Sequence, residues 1–241
     1  MGRGSGGQSP PEPDASSSSI RRAVLLRHAR ALVGLSLAEI ADGQGLGAPL
    51  SRVHTKGWSG QLIERELGHG GSDGPGPDFA SLGIELKTVP VTPALLPLES
   101  TAVCHIDPVA IAAESWAAST AREKLTKVLF VALEVTDRKA PVGERRVSFV
   151  HLWQPDAAEE GILAADFAMF VREYFLPGRA SQISGHLGVA LQVRPKGRNA
   201  ADRRLAYGER GQPIRIGRMG FYLRPAFVGQ ILRRGLAAAS G

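Results

Sequence analysis

The stretch at residues 77–90, PDFASLGIELKTVP, sets two acids and a lysine around a short apolar run: Asp78, then, after six intervening residues, Glu85 and Lys87. On a strand, residues two apart point the same way and lie about 6.6 Å apart. Glu85 and Lys87 then project from one face, while Ile84 and Leu86 project from the other into a core. If the chain folds back between them, Asp78 and Glu85 can offer oxygens to one divalent ion. Mg²⁺ suits such a pair, because it takes hard oxygen ligands and keeps several waters. The chemistry that uses two acids, a metal and a lysine is phosphodiester hydrolysis, in which the metal activates a water and stabilises phosphoryl charge. The residues alone also fit a strand at a water-facing edge, with a weak Glu–Lys pair worth about 0–1 kcal/mol.

Other side chains fit a phosphate-rich partner. The net charge is +6, from 29 Lys and Arg against 23 Asp and Glu, in the direction a nucleic acid would favour. In LQVRPK, Gln192 and Arg194 share one strand face and Lys196 follows; an arginine there can pair bidentately with guanine O6 and N7. Tyr222 stands between Phe221 and Leu223 in a second late apolar run. Arg145, Arg146, Arg198, Arg203 and Arg204 are phosphate-contact candidates. Cys104 is the one cysteine, which excludes an intrachain disulfide and suits a reducing, cytoplasmic setting.

The elements that must position these residues follow from periodicity. Residues 1–19, rich in Gly, Ser and Pro, are expected to be a disordered tail without the apolar region of a signal peptide. Residues 20–35 have helical spacing, with Val24, Leu25, His28 and Leu32 near one face. Ser36 and Glu39 have the spacing of a capping box and open a second helix ending near Gly43. A third helix runs from about Trp58 to Gly68, with Leu62, Ile63 and Leu67 as its apolar stripe and Glu64 beside them. Strands are expected at 83–91, 100–106, 127–135, 145–153, 188–196 and 220–223. The run KVLFVALEV reads as a strand buried on both faces. Residues 119–125 give a short helix carrying Lys124, residues 156–176 a long one, and residues 224–239 a last one. No apolar run approaches the roughly 18 residues of a membrane span, so no membrane association is expected. The mixture points to an α/β or α+β domain over 20–241.

Taken in order, KGWSGQLIERELG, GPGPDFASLGIELKTVPV, PLESTAVC, SWAASTAREKLTKVLFVALEV, LQVRPKG and GFYLRPAF resemble the MutH family of bacterial mismatch-repair endonucleases, from about Ile20 to Ala238. The resemblance implies an α/β, restriction-endonuclease-like fold, a mixed sheet flanked by helices with two lobes around a DNA-binding cleft. It implies Mg²⁺-dependent nicking of the unmethylated strand at hemimethylated GATC sites by a monomer acting on double-stranded DNA, with MutL as activator. By the same resemblance the metal-binding acids are Glu64, Asp78 and Glu85, the catalytic lysine is Lys87, and a second lysine of the site is Lys124. It assigns DNA binding to Lys56, Arg194, Lys196 and Tyr222, with Tyr222 near the adenine whose methylation is sensed. On residues alone, Glu64 is an ordinary solvated helix acid and Lys124 an ordinary helix-end cation.

Two positions depart from the family pattern. The loop before Asp78 reads GSDGPGP, with Asp73 and no lysine, and Ala102 stands where an aromatic residue is frequent. Both bear on DNA contacts and neither on the acid–lysine set. Two other functions remain open at this point: a GATC-specific restriction enzyme making double-strand cuts, and a DNA-binding module without catalysis. The second fits poorly, since crowding acids against a phosphate is unfavourable without a metal.

Overall fold

The computed structural model describes residues 15–48, 57–68, 76–137, 139–197 and 201–240. Its organising element is β3 (Val128–Glu134), an unbroken apolar run. Side chains alternate across a strand, so such a run must be covered on both faces. Val128, Phe130 and Ala132 enter one core, and Leu129, Val131 and Leu133 enter another. β1 (Glu85–Val91) pairs parallel with β3, Glu85 opposite Val128, and β4 (Arg146–Trp153) pairs antiparallel on the other side. The result is a mixed sheet of order β1-β3-β4, with β1 at an edge.

The smaller core is closed by three N-terminal helices, α1 (Ala15–Ala31), α2 (Leu37–Gly43) and α3 (Trp58–Glu66). α2 opens on the expected reciprocal cap: Ser36 Oγ accepts from Glu39 N–H, and the Glu39 carboxylate accepts from Ser36 N–H. α3 buries Leu62 and Ile63, with Leu67 just beyond its end. α1 corrects the expected tail in part. It starts at Ala15, so Ser16–Ser19 are helical; Ser19 Oγ donates to Ser16 O and Arg21 Nε to Ser17 O within that first stretch. Residues 1–14 lie outside the described residues. The buried stripe of α1 is also rotated from the expected one. Leu25, Ala29 and Leu32 are buried, whereas Val24 and His28 are exposed.

The larger core lies across the sheet. It packs β2 (Thr101–Ile106), β8 (Met219–Leu223) and β5 (Leu191–Pro195), an antiparallel sheet of order β2-β8-β5, against α5 (Ala157–Phe170) and α6 (Pro225–Ser240). Phe167 of α5 meets Phe221 of β8 at a ring distance of 5.4 Å. α4 (Thr120–Leu125), capped by Ser119 Oγ accepting from Arg122 N–H, leads into β3. One hairpin escaped the sequence reading: β6 (Arg203–Tyr207) with β7 (Pro213–Gly217), placing Arg203 and Arg204 on an exposed strand. Strand 188–196 is shorter than expected, because the amides of Val189 and Ala190 are bound by a helix carboxylate instead of a ladder. Among the described residues, no helix is long and apolar enough to cross a membrane.

Candidate active site and nucleic-acid interface

The chain folds back between Asp78 and Glu85 through a short backbone device. Phe79 and Ile84 exchange backbone hydrogen bonds at 2.8 and 3.3 Å, and a helical turn at Ala80–Leu82 closes on Gly83, whose φ of 61° is the left-handed value a side chain disfavours. The Asp78 carboxylate thereby reaches β1, where Oδ2 accepts from Leu86 N–H at 2.7 Å. The acid is tied to the amide next to Glu85.

Glu85 is 2% exposed. A carboxylate so buried needs partners, and it has two cations. Lys87 Nζ lies 2.6 Å from Oε1, and Lys124 Nζ lies 3.1 and 3.0 Å from Oε1 and Oε2. Lys124 is also held by the carbonyl of Gly76 at 3.0 Å, which ties the loop before Asp78 to the same point. Charged N–H···O⁻ contacts of this length are the strong class of hydrogen bond. Ile84 and Leu86 enter the smaller core as expected. The opposite face is only partly open, since Val89 and Val91, on the side of Glu85 and Lys87, continue into the larger core.

Glu64 approaches β1 from a different element. It sits on α3, where its Oε1 and Thr88 Oγ1 stand 3.8 and 3.9 Å from the point a β-carbon on Gly60 would occupy. Glu64 and Thr88 of β1 therefore both border Gly60. Among the described residues no three His, Cys, Asp or Glu side chains are grouped to hold one metal ion. Asp78, Glu85, Lys87 and Lys124 are thus brought together, and Glu64 does not complete a three-acid metal group with Asp78 and Glu85. The donor set, two neighbouring carboxylates, fits an ion that takes one or two protein carboxylates and fills its shell with water and phosphate oxygens.

The second group lies on β2-β8-β5. Tyr222 is the register partner of Gln192 on one side and Ala102 on the other, so these three share a face. Lys196 Nζ lies 5.8 Å from the Tyr222 ring centre. Gly220 makes that approach possible: a β-carbon there would stand 2.7 Å from Lys196 Cδ and 2.6 Å from the backbone carbonyl of Cys104. Burial pushes the Tyr222 phenol above its ordinary value, so it stays neutral and presents a ring. Arg194 is exposed. Lys56, Arg198 and Asp73 lie outside the described residues. Of the other arginine candidates, Arg146 is engaged inside the protein, donating to Gly34 O at 2.8 Å and Glu39 at 3.1 Å.

Sequence reasoning passed over two supporting side chains. Asp166 is buried at 6% in α5 and accepts from the N–H groups of Val189, Ala190 and Leu191 at 2.7–2.9 Å, fixing where β5 begins. Ser100 bonds both Gln192 and Arg194. An acid among apolar residues in the middle of a helix was the available signal for Asp166. Ser100 offered none beyond standing at a strand boundary.

A mixed α/β core carrying two acids and two lysines at one strand is the arrangement of a restriction-endonuclease-like nuclease. The comparisons name the family. The profile described as "DNA mismatch repair enzyme MutH" matches residues 69–166. The chain is 40% identical over 210 residues to the DNA mismatch repair protein MutH of Vibrio cholerae, covering 87% of this chain and 94% of that one. It is 40% identical over 222 residues to that of Vibrio parahaemolyticus (92% and 95%) and 39% identical over 210 residues to that of Serratia proteamaculans (87% and 91%). The chain belongs to the MutH family of DNA mismatch repair enzymes.

Proposed function

We propose that the protein nicks the unmethylated strand of double-stranded DNA at hemimethylated GATC sites, using Mg²⁺. The observation that carries the catalytic part is the Glu85 carboxylate, 2% exposed and clamped by Lys87 and Lys124, with Asp78 tied to the neighbouring amide. An acid buried beside a second acid and two cations is a poor structural element but a prepared reaction centre.

Asp78 and Glu85 would hold Mg²⁺, with Glu64 of α3 as the third acid. When bound, the ion supplies a water of lowered pKa and stabilises charge on phosphoryl oxygens. Lys87 orients the attacking water and balances charge as it develops on the phosphate. Lys124 holds the Glu85 carboxylate in place and, through Gly76 O, anchors the loop that delivers Asp78. In this reading Arg194 pairs with the guanine edge, Tyr222 lies against the adenine where a methyl group would sit, and Lys196 and Lys56 contact the backbone. The enzyme acts as a cytoplasmic monomer and is activated by MutL.

Strand-resolved cleavage of a hemimethylated GATC duplex with Mg²⁺, with and without MutL, tests this. The expected result is a single cut in the unmethylated strand, faster with MutL. Cuts in both strands would replace the proposal with a restriction enzyme, and no cut under either condition would leave a binding module.

A further inference from the structure

Two side chains on one face of β5 converge on one hydroxyl. Gln192 Nε2 donates to Ser100 Oγ at 2.8 Å, and Arg194 Nη1 donates to the same oxygen at 3.0 Å. A serine oxygen has two lone pairs, and these two donors fill them. Ser100 immediately precedes β2, which lies on the far side of β8 from β5. The contact therefore spans the three-stranded sheet from one outer strand to the other.

Burial grades along this chain of contacts. Gln192 is 3% exposed, Ser100 is half-buried and Arg194 is exposed. The buried amide is fixed by its surroundings, it fixes the hydroxyl, and the hydroxyl fixes the guanidinium. An exposed arginine samples many rotamers, whereas bidentate pairing with a base needs its planar fork held in one orientation. We propose that Ser100 is a positioning residue for sequence readout, its Oγ holding Nη1 of Arg194 so that the remaining donors of the fork face the guanine edge. This deepens the reading of Arg194 as the guanine contact and rests on it.

The test is the ratio of nicking rates on a GATC duplex and on one carrying AATC, measured on a single preparation of the full-length protein with Mg²⁺, so that any unfolded fraction cancels. Arg194→Ala is expected to collapse the ratio. Ser100→Ala is expected to lower it about three- to tenfold, as loss of one ordinary hydrogen bond would. Ser100→Thr, which keeps the hydroxyl, is expected to restore most of it. In an Arg194→Ala background, Ser100→Ala is expected to change nothing further. A Ser100→Ala ratio equal to that of the wild type, while Arg194→Ala collapses it, overturns the role of Ser100. So does an equal loss with alanine and threonine, or an additive loss in the double variant. A wild type that does not distinguish the two duplexes overturns the GATC reading itself, and this proposal with it.

Discussion

The acid–lysine cluster on β1 and the face of β2-β8-β5 both carry charge, and they handle it in opposite ways. Around Glu85 the charges are largely withdrawn from water and paired with one another, two partly buried cations on one buried carboxylate. On the other sheet Arg194 is exposed and steadied by a neutral hydroxyl, and Lys196 lies over a neutral ring. The difference matches the two tasks. A reaction centre must hold its groups at fixed distances before substrate arrives. A reading surface must keep donors unspent for base edges.

The comparison breaks most visibly at its buried end. Glu85→Ala, or Lys87→Ala, is expected to lower plasmid nicking on the order of 10²–10³-fold, with DNA binding retained in a gel-shift assay. If binding disappears in parallel with nicking, the cluster is not separable from the reading surface. Arg194→Ala is expected to show the converse: roughly ten- to hundredfold less nicking at GATC, and an unchanged slow rate on DNA lacking the site. Tyr222→Ala sharpens the reading side alone. The ratio of cleavage between hemimethylated and fully methylated duplexes should shrink about two- to tenfold, the worth of a ring contact, and an unchanged ratio would remove Tyr222 from methyl sensing.

The smallest expected effect lies in the scaffold, at the other rim of the sheet from β1. His151 on β4 packs beside Gly235 of α6, and burial, then the nearby Arg234, lowers its pKa from the ordinary 6.5. A histidine whose folded pKa is lowered takes up its proton more readily when unfolded, so stability rises with pH across that range. It is fully present above 6.5 and is lost as pH falls from there toward the folded value. His151→Gln should therefore flatten the fall in melting temperature between neutral and mildly acidic pH, without altering nicking specificity at neutral pH.

Legibility in the sequence followed the range of the interactions. Local signals held: the Ser36–Glu39 cap, the doubly buried run of β3, and the alternation that sends Ile84 and Leu86 one way and Glu85 and Lys87 the other. Asp78, Glu85, Lys87 and Lys124 were all named from the chain, Asp78 with a supposed fold-back and Lys124 with the family resemblance, and the structure brings the four together. What stayed hidden was set by partners far apart in sequence. Ser100 meets residues 92 and 94 positions away, and Asp166 meets amides 23 to 25 positions away. No periodicity encodes such pairs. The hairpin β6–β7 was missed because its residues are largely exposed and its charges read as a loop.

The placement of β1 at the rim of its sheet has a consequence for solubility. A rim strand offers outward N–H groups on which another chain can add a strand. On β1, the amides of Glu85 and its alternates turn toward β3, which leaves those of the even-numbered residues facing out. Leu86 N–H is taken by Asp78, and position 90 is a proline with no N–H to give. The aspartate proposed to hold the metal therefore also blunts a template for self-association. Losing it would expose β1 to pairing with its own copies, so a protein lacking Asp78 should be judged for aggregation before it is judged for catalysis.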